Sequence, residues 1–261
     1  MGLGLKIYNN TYVPLVNYLF LKKIKSKFAG KPIIIGGCGR SGTSMLLSIL
    51  SSHKAIHGVP KETSYFSPTA NTYHPDYWAK FNMKGFYNEW IENIDSSEAS
   101  CFCEKTPKNV RFFKRIEKLF QGEVKIIHII RDARDVVLST HPKNPKKSWA
   151  SIERWISDVS KGLEVSESPN VYVVKYEDIT ANFEETIIDL FKFLELELTE
   201  DVLNWHKHST VRKHGAWSGE IKPLHANSIA KWKENLDNPI VADVLKNEEA
   251  MSLLKELDYI T

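Results

Sequence analysis

Cysteine is scarce in this chain of 261 residues, which contains only Cys38, Cys101 and Cys103. An odd number without framework spacing excludes a disulfide-stabilised scaffold and favours a reducing compartment, so we expect a cytoplasmic protein. Cys101 and Cys103 would point to the same face of a strand, as a pair of metal ligands does. We expect both instead to be buried as small apolar side chains.

Long hydrophobic runs, internal repeats and low-complexity segments are also absent from the sequence. No stretch is long enough to span a membrane. An apolar run at 13–21 is interrupted by Pro14 and Asn17 and precedes its lysines, the reverse of the order in a signal peptide. We therefore expect residues 1–30 to form a helical extension on a single domain of residues 31–261. Peripheral membrane contact of that extension is the alternative.

Neither sign of charge dominates, because 35 Lys and Arg residues face 32 Asp and Glu residues and leave a net charge of +3. This excess is too small to indicate nucleic-acid binding, but it suits a site that holds an anion. Apolar residues make up 42% of the chain and charged residues 26%, as in an ordinary globular protein, which excludes extended disorder.

Short apolar segments alternate with amphipathic ones along the chain. Buried strands are predicted at 31–37, 100–104, 124–130 and 171–174. Helices are predicted at 43–52, 76–94, 109–120, 132–140, 148–165, 183–194, 201–207, 229–236 and 241–257. This alternation predicts an α/β protein with a P-loop-like three-layer fold, in which a central parallel sheet is flanked by helices. Ligands of such sheets bind at the carboxyl ends of the strands.

The glycine-rich segment 36–44 joins the first of these strands to a helix. Backbone N–H groups in such a loop, together with the helix N-terminus, can surround a phosphate. Gly37 and Gly42 have the spacing of a Walker A loop, but Thr43 stands where its lysine belongs, and the cation is Arg40 instead. The loop therefore suits a phosphate but lacks the lysine that handles a γ-phosphate. The candidate phosphate ligands are Gly39, Arg40, Ser41, Gly42, Thr43 and Ser44.

A second strand-to-helix junction, 127–139, carries another candidate anion site. Arg131 ends the predicted strand, and Ser139 follows eight residues later, about two turns into the predicted helix. A guanidinium and a hydroxyl that converge there can hold a second phosphate. The alternative is a capped helix with ordinary surface ion pairs. Asp132 also leaves a Mg²⁺ site open.

Together, these segments resemble the sulfotransferase family that uses 3′-phosphoadenosine 5′-phosphosulfate. Arg40-Ser41-Gly42-Thr43-Ser44 is similar to its 5′-phosphosulfate loop, and Arg131 with Ser139 to its 3′-phosphate motif. Tyr176-Glu177-Asp178 resembles a segment whose tyrosine lies near the adenine, and residues 228–232 resemble a late Ser-x-x-Arg-Trp segment that closes over the nucleotide. The resemblance implies this donor, adenosine 3′,5′-bisphosphate as the product, and no required metal. The further ligands implied are Tyr176, Lys222, Lys231 and Ser228, with Ser228 also acting in catalysis.

The acceptor side shows two more similarities to the family. Residues 60–66 resemble the segment that carries a glutamate base in carbohydrate and tyrosyl-protein sulfotransferases, which implies that Glu62 is the base. Glu104-Lys105-Thr106-Pro107 resembles the family's Glu-Lys-Thr-Pro. It implies that Lys105 faces the transferring group, with Arg40 at the leaving phosphate.

Other interpretations stay open at this point. His53 or His57 is an alternative base, as in some family members. Met45 stands where cytosolic small-molecule members have a tryptophan, which moves the resemblance toward the carbohydrate or protein-modifying branches and toward a bacterial-type soluble relative. The expected acceptor is then a hydroxyl-bearing molecule, most of all a carbohydrate. The competing functions are a P-loop kinase for a small metabolite and a non-catalytic nucleotide-binding protein.

Overall fold

The structure is a computed structural model that describes residues 11–66, 81–141, 144–211 and 229–260. Its strands are β1 (Ile33–Gly36), β2 (Ile56–Gly58), β3 (Cys101–Lys105), β4 (Lys125–Ile130), β5 (Thr140–His141), β6 (Asn144–Ser148) and β7 (Val171–Lys175). Its first helices are α1 (Val13–Lys27), α2 (Thr43–Leu50), α3 (Met83–Phe86), α4 (Phe113–Leu119), α5 (Ala133–Leu138) and α6 (Ile152–Leu163). The later ones are α7 (Tyr176–Ala181), α8 (Phe183–Leu194), α9 (Glu200–Leu203), α10 (Trp205–His208), α11 (Pro239–Lys246) and α12 (Glu248–Glu256). A π-helical turn (Tyr87–Ile91) continues α3, and 3₁₀ turns form at Pro107–Phe112 and Lys231–Asn235.

Five strands form one parallel sheet in the order β2-β3-β1-β4-β7. The central strand β1 is buried along its whole length, and so is its neighbour β4. Strands rich in isoleucine suit a sheet that is covered on both faces, which is why these two were predictable. The α/β fold with a central parallel sheet flanked by helices is confirmed.

Adjacent residues of β1 bury their side chains in different cores. Ile34 belongs to an apolar cluster with Phe102, Phe86 and the inner side of α1. Ile33 and Ile35 belong to a second cluster, which includes α2 and α8. Successive side chains of a strand point to opposite faces, so helices must cover both sides of the sheet. This gives the three layers that the sequence predicts.

The helix α1 packs on one face of this sheet. Pro14 lies in its first turn, where the missing N–H costs little. Asn17, which interrupts the apolar run, is buried and accepts a hydrogen bond from the backbone N–H of Met83 at 3.0 Å. Leu21 and Ile24 enter the first apolar cluster. The predicted helical extension is thus a helix with a buried side, and the division of the chain at residue 30 stays a prediction.

Several predicted boundaries were wrong. The helix after β4 ends at Leu138, and Ser139 is extended, with φ −75° and ψ 114°. The predicted loop 141–147 instead contributes to the antiparallel pair of β5 and β6. The predicted helix 241–257 is two helices, because Asn247 leaves helical geometry and its side chain caps α12 by accepting from the N–H of Ala250 at 2.9 Å.

Other differences concern short elements. No strand was predicted at 56–58, but these residues form β2, which is too short for a periodic pattern to show. The predicted helix 109–120 begins as a 3₁₀ turn at Pro107 and continues as α4. Cys101 and Cys103 are free and buried on β3, as their small apolar character indicates.

Candidate active site

The predicted site residues follow the carboxyl ends of the five parallel strands. Along the sheet edge, Glu62 comes after β2, Lys105 ends β3, and the glycine-rich loop comes after β1. Arg131 then follows β4, and Tyr176 follows β7. Neighbouring strands lie about 4.8 Å apart, so the row extends roughly 19 Å from end to end. Residues that are distant in sequence are therefore arranged in one line.

The glycine-rich loop is held tightly against β4 and the β7 end of the sheet. Gly42 has a φ of 94°, and a Cβ atom added there would lie 2.6 Å from the Tyr176 ring. Only glycine fits this conformation and this approach. Arg40 also has a positive φ, of 74°. The buried Ser41 hydroxyl has no hydrogen-bond partner within the described residues, which leaves a donor for a ligand of the loop.

Arg40 connects the two predicted anion sites. Its Nε donates to the Ser139 hydroxyl at 2.5 Å, and its backbone oxygen accepts from Nη1 of Arg131 at 3.0 Å. Burial, together with the positive charge of Arg131, lowers the pKa of Arg40. The two guanidinium groups carry like charges and repel each other, so the cluster favours an anion between them.

Tyr176 completes this end of the site. The guanidinium carbon of Arg131 lies 4.5 Å from the centre of the Tyr176 ring, a cation–π contact. The backbone oxygen of Arg131 accepts from the indole N–H of Trp155 at 2.9 Å, which fixes the chain where β4 ends. Arg40, Gly42, Arg131, Ser139 and Tyr176 are thus brought together, as the two motifs predict.

Glu62 and Lys105 form an ion pair at the other end of the row. Nζ of Lys105 donates to Oε1 of Glu62 at 2.8 Å. The Lys105 side chain is fully buried, while 44% of the Glu62 side chain is exposed. Burial lowers the pKa of Lys105, and the Glu62 carboxylate opposes that shift. The carboxylate can therefore meet an acceptor from solvent, while the ammonium stays inside.

A buried carboxylate that sequence reasoning did not single out holds the Glu62 segment in place. Glu104 accepts hydrogen bonds from the hydroxyls of Thr63 at 2.9 Å and Thr106 at 2.7 Å, and from the Asn109 amide at 2.6 Å. Burial raises the pKa of Glu104, and these hydrogen bonds counteract part of that rise. Thr63 directly follows Glu62, so Glu104 holds the Glu62 segment against β3. The position of Glu104 next to Lys105 in the sequence was the one signal that could have indicated this role.

Asp135 is a second residue that sequence reasoning missed as functional. Its carboxylate accepts from the backbone N–H groups of Ala230 at 2.7 Å and Trp232 at 3.0 Å. Arg134, its neighbour, lies over the Trp232 ring at 3.7 Å. The alternative of ordinary surface ion pairs therefore does not describe Arg134 and Asp135, which are buried and contact the late segment. Lys231 is exposed there, whereas Lys222 and Ser228 lie outside the described residues.

Trp149 and Arg154 flank the start of the glycine-rich loop. A Cβ atom added at Gly39 would lie 2.8 Å from the Trp149 indole nitrogen and 3.3 Å from Nη2 of Arg154. Arg154 is held by the buried carboxylate of Asp158 at 3.3 Å. No sequence motif indicates these neighbours: Trp149 lies between β6 and α6, and Arg154 lies in the first turn of α6.

Of the alternative residues, His53 and Asp132 are held by structural contacts. His53 Nδ1 accepts from the N–H of Ala55 at 3.1 Å, and Nε2 contacts the backbone oxygen of Glu197 at 3.0 Å. His57 lies on β2, where burial lowers its pKa. Asp132, the candidate Mg²⁺ ligand, is paired with Arg134 at 2.7 Å. Among the described residues, no group of three or more His, Cys, Asp or Glu side chains is placed to hold a metal ion.

The fold and this site define a P-loop-like α/β protein in which the two predicted anion sites lie next to each other at the carboxyl edge of the sheet. Residues 31–214 match the family model of the sulfotransferase domain. The chain belongs to the sulfotransferase family. Within the described ranges, no helix is both long enough and apolar enough to cross a bilayer.

Curated relatives are similar at low identity. Protein-tyrosine sulfotransferase A of Caenorhabditis elegans is 22% identical over 260 residues, which cover 87% of this chain and 67% of the relative. An uncharacterized protein of Aquifex aeolicus is 24% identical over 234 residues. That match covers 78% of this chain but only 30% of the Aquifex protein.

Solved structures show the same fold. The sulfotransferase domain from the Synechococcus PCC 7002 olefin synthase has a TM-score of 0.58 at 14% identity, over 85% of this chain and 96% of that one. The sulfotransferase domain from the curacin biosynthetic pathway has a TM-score of 0.52 at 15% identity, over 89% of this chain and 99% of that one. These likenesses support the three-layer arrangement on which the site is built.

Proposed function

We propose that this chain transfers a sulfuryl group from 3′-phosphoadenosine 5′-phosphosulfate to the hydroxyl of an acceptor. The observation that carries the proposal is the order of side chains along the sheet edge. The carboxylate of Glu62 and the ammonium of Lys105 lie at one end, and Arg131 with Tyr176 lie at the other, with the phosphate loop between them. From the Glu62 end to the Tyr176 end, this order matches the acceptor, the transferring sulfuryl group, the 5′-phosphate, the 3′-phosphate and the adenine.

The nucleotide end fits a donor with two separate phosphates. The two repelling guanidinium groups of Arg40 and Arg131 would be relieved by a bound anion, and the Ser41 hydroxyl has a hydrogen bond to give. In this proposal, Arg131 and Ser139 bind the 3′-phosphate. The 5′-phosphosulfate lies in the loop 39–44, and Arg40 lies between the two phosphates.

Other residues of the donor site follow from the same proposal. The Tyr176 ring, fixed between Gly42 and Arg131, contacts the adenine. Asp135 holds the late segment close to α5, and Lys231 begins a 3₁₀ turn in that segment. Lys222, Ser228 and Lys231 stay predicted ligands of the donor, and Ser228 stays a predicted catalytic group.

The acceptor end supplies a base and a cation. The acceptor hydroxyl gives its proton to the Glu62 carboxylate as its oxygen forms a bond to sulfur. The bond between sulfur and the 5′-phosphate oxygen breaks, and the bisphosphate leaves with its new negative charge facing Lys105 and Arg40. Lys105 also orients the Glu62 carboxylate through their hydrogen bond of 2.8 Å. No step requires a metal ion.

The acceptor class is the finer part of the proposal. The segment around Glu62 and the residue Met45 led us to expect a carbohydrate hydroxyl. The names of two relatives add the tyrosine hydroxyl of a peptide. The exposed Glu62 carboxylate suits either, because both acceptors would approach from solvent.

The test is transfer of labelled sulfuryl from the donor to a panel of oligosaccharides and tyrosine peptides. We expect labelled product from one of the two sets, and formation of adenosine 3′,5′-bisphosphate in equal amount. Binding of the bisphosphate without transfer to any acceptor would indicate a non-catalytic nucleotide-binding protein. Thermal stabilisation by ATP but not by the bisphosphate would indicate the kinase instead.

A further inference from the structure

The helix α1 presents a solvent-facing stripe of large apolar side chains. Tyr12, Leu15, Tyr18 and Leu19 are each exposed by 50–54%. They recur at intervals of three and four residues, so they lie on one side of the helix. We call these four residues the outer stripe. They make up four of the nine strongly exposed large apolar residues in the part of the chain that the structure describes.

The orientation of this helix is fixed by its inner side. The Asn17 side chain is bonded to the N–H of Met83, and Leu21 and Ile24 are buried in the first apolar cluster. At the end of the helix, Nζ of Lys27 donates to the backbone oxygen of Glu92 at 2.6 Å. The outer stripe therefore cannot turn inward without breaking these contacts, and a contiguous exposed apolar patch of this kind marks an interaction surface.

Lysines continue the outer stripe along the same side. Lys22 and Lys25 are exposed in the next turns of α1, and both follow Tyr18 at helical spacing. We call these two residues the basic run. The first 61 residues contain nine Lys and Arg residues and no Asp or Glu, although the whole chain carries 32 acidic residues. The outer stripe is thus followed by lysines in a segment of the sequence that contains no acidic residue.

We propose that α1 docks the protein on an anionic lipid bilayer. The outer stripe would enter the boundary between headgroups and acyl chains, where tyrosines are favoured, while the basic run contacts negatively charged headgroups. A second copy of this chain fits less well, because the same segment of that copy also lacks acidic residues to meet the lysines. The proposal is independent of the transfer reaction.

The test is sedimentation of the full chain with vesicles of phosphatidylcholine alone or with about one third phosphatidylserine. We expect binding to the anionic vesicles that weakens as salt rises, and little binding to neutral ones. L15E/L19E should lower binding to anionic vesicles by about tenfold or more, because charged residues cannot enter the apolar boundary. K22E/K25E should lower it by a similar factor, about tenfold, and remove the preference for anionic lipid.

Matched controls are available on other helices. Ile188 on α8 and Leu245 on α11 are also exposed apolar residues, and I188E/L245E should leave vesicle binding unchanged. The thermal midpoint and the circular dichroism spectrum of each variant report whether the fold is retained. The proposal is overturned if the parent does not bind anionic vesicles or if both control and stripe variants lose binding alike. It is equally overturned if L15E/L19E dissociates a dimer in solution and vesicle binding is absent.

Discussion

Nε of Arg40 donates a hydrogen bond of 2.5 Å to the hydroxyl of Ser139, a residue 99 positions later in the chain. This bond joins the loop after β1 to the end of α5, so the two proposed anion sites share one arginine. Arg131, which donates to the Arg40 backbone oxygen, links them a second time. A ligand with two phosphates would therefore engage one connected cluster.

Replacing Arg131 by alanine should separate the two anion sites. A hydrogen bond to a charged group contributes roughly 1.5–3 kcal/mol, so affinity for adenosine 3′,5′-bisphosphate should fall by about one to two orders of magnitude. Affinity for AMP, which lacks the 3′-phosphate, should hold. Thermal shift or calorimetry with both ligands measures this. K114A, at an exposed lysine of α4, removes the same charge and should leave the affinity for both ligands unchanged. If R131A weakens the binding of both ligands equally, the role of Arg131 is structural.

Replacing Glu62 by glutamine should remove the base and keep the shape of the site. General-base catalysis typically contributes about 10²–10⁴-fold, so turnover should fall by that order while donor affinity holds. K61Q, at the exposed neighbouring residue, is the control and should stay near the parent rate. Steady-state assays at saturating donor measure both. A nearly normal rate for E62Q would remove Glu62 from the mechanism and direct attention to His57, whose ring is not held as that of His53 is.

Replacing Asp135 by alanine should release the late segment. Its carboxylate holds the N–H groups of Ala230 and Trp232, and such charged hydrogen bonds contribute roughly 1.5–3 kcal/mol each. Amide exchange at these two positions should accelerate by about tenfold or more, since 1.4 kcal/mol corresponds to a factor of ten. D135N, which keeps one carbonyl acceptor, should fall between parent and D135A. D243A, at an exposed aspartate of α11, is the control and should leave amide exchange at residues 230 and 232 unchanged. If exchange there is also unchanged in D135A, other contacts hold the late segment.

His128 should make the fold sensitive to acid. It is fully buried on β4, neither ring nitrogen has a hydrogen-bond partner within the described residues, and burial lowers its pKa to about 3. An unfolded histidine titrates near 6.5. Between these values the unfolded chain binds a proton that the folded chain does not. The free energy of unfolding should therefore be fully retained above about pH 6.5 and should decrease on acidification by about 1.4 kcal/mol per pH unit from this group.

The histidine contribution can be isolated by comparing slopes. H128L should flatten the dependence of unfolding free energy on pH between about 6.5 and 3 relative to the parent. Its absolute stability also changes through packing against Phe113 and Gly162, so the slope is the informative quantity. Denaturant titrations at several pH values measure it. H208Q, at an exposed histidine of α10, should keep a slope near that of the parent, and an unchanged slope in H128L would assign the acid sensitivity to other groups.

Much of the fold could be predicted because local pattern and environment agree. Strands β1 and β4 are rich in isoleucine, as expected of strands buried on both faces. The glycines of the loop 36–44 indicate a backbone that approaches other groups closely, and Gly42 does lie against Tyr176. Short elements could not be predicted in this way. The three residues of β2 and the two of β5 are strands because partners pair with them, and the periodicity of so few residues carries no signal.

The site shows the same division between local and distant information. The motifs around Arg40 and Arg131 placed both anion sites, but the prediction put Ser139 on a helix, whereas the chain has already left helical geometry there. Two contacts position the Glu62 segment and the late segment. They join Glu104 to Thr63, 41 positions apart, and Asp135 to Ala230, 95 positions apart. Nothing in the local sequence of a carboxylate specifies which distant N–H or hydroxyl it will meet.

The sequence alone determined the alternation of strands and helices, the phosphate loop without a Walker lysine, and the family to which the chain belongs. These features are local, since each depends on residues within one segment of the chain. Only the tertiary structure decided that Glu62 pairs with Lys105 and that Arg40 reaches Ser139. It also decided that the apolar side chains of the outer stripe face solvent while Leu21 and Ile24 are buried. The reason is physical: strand order and helix orientation are set by the burial of the whole core, and they alone determine which distant side chains become neighbours.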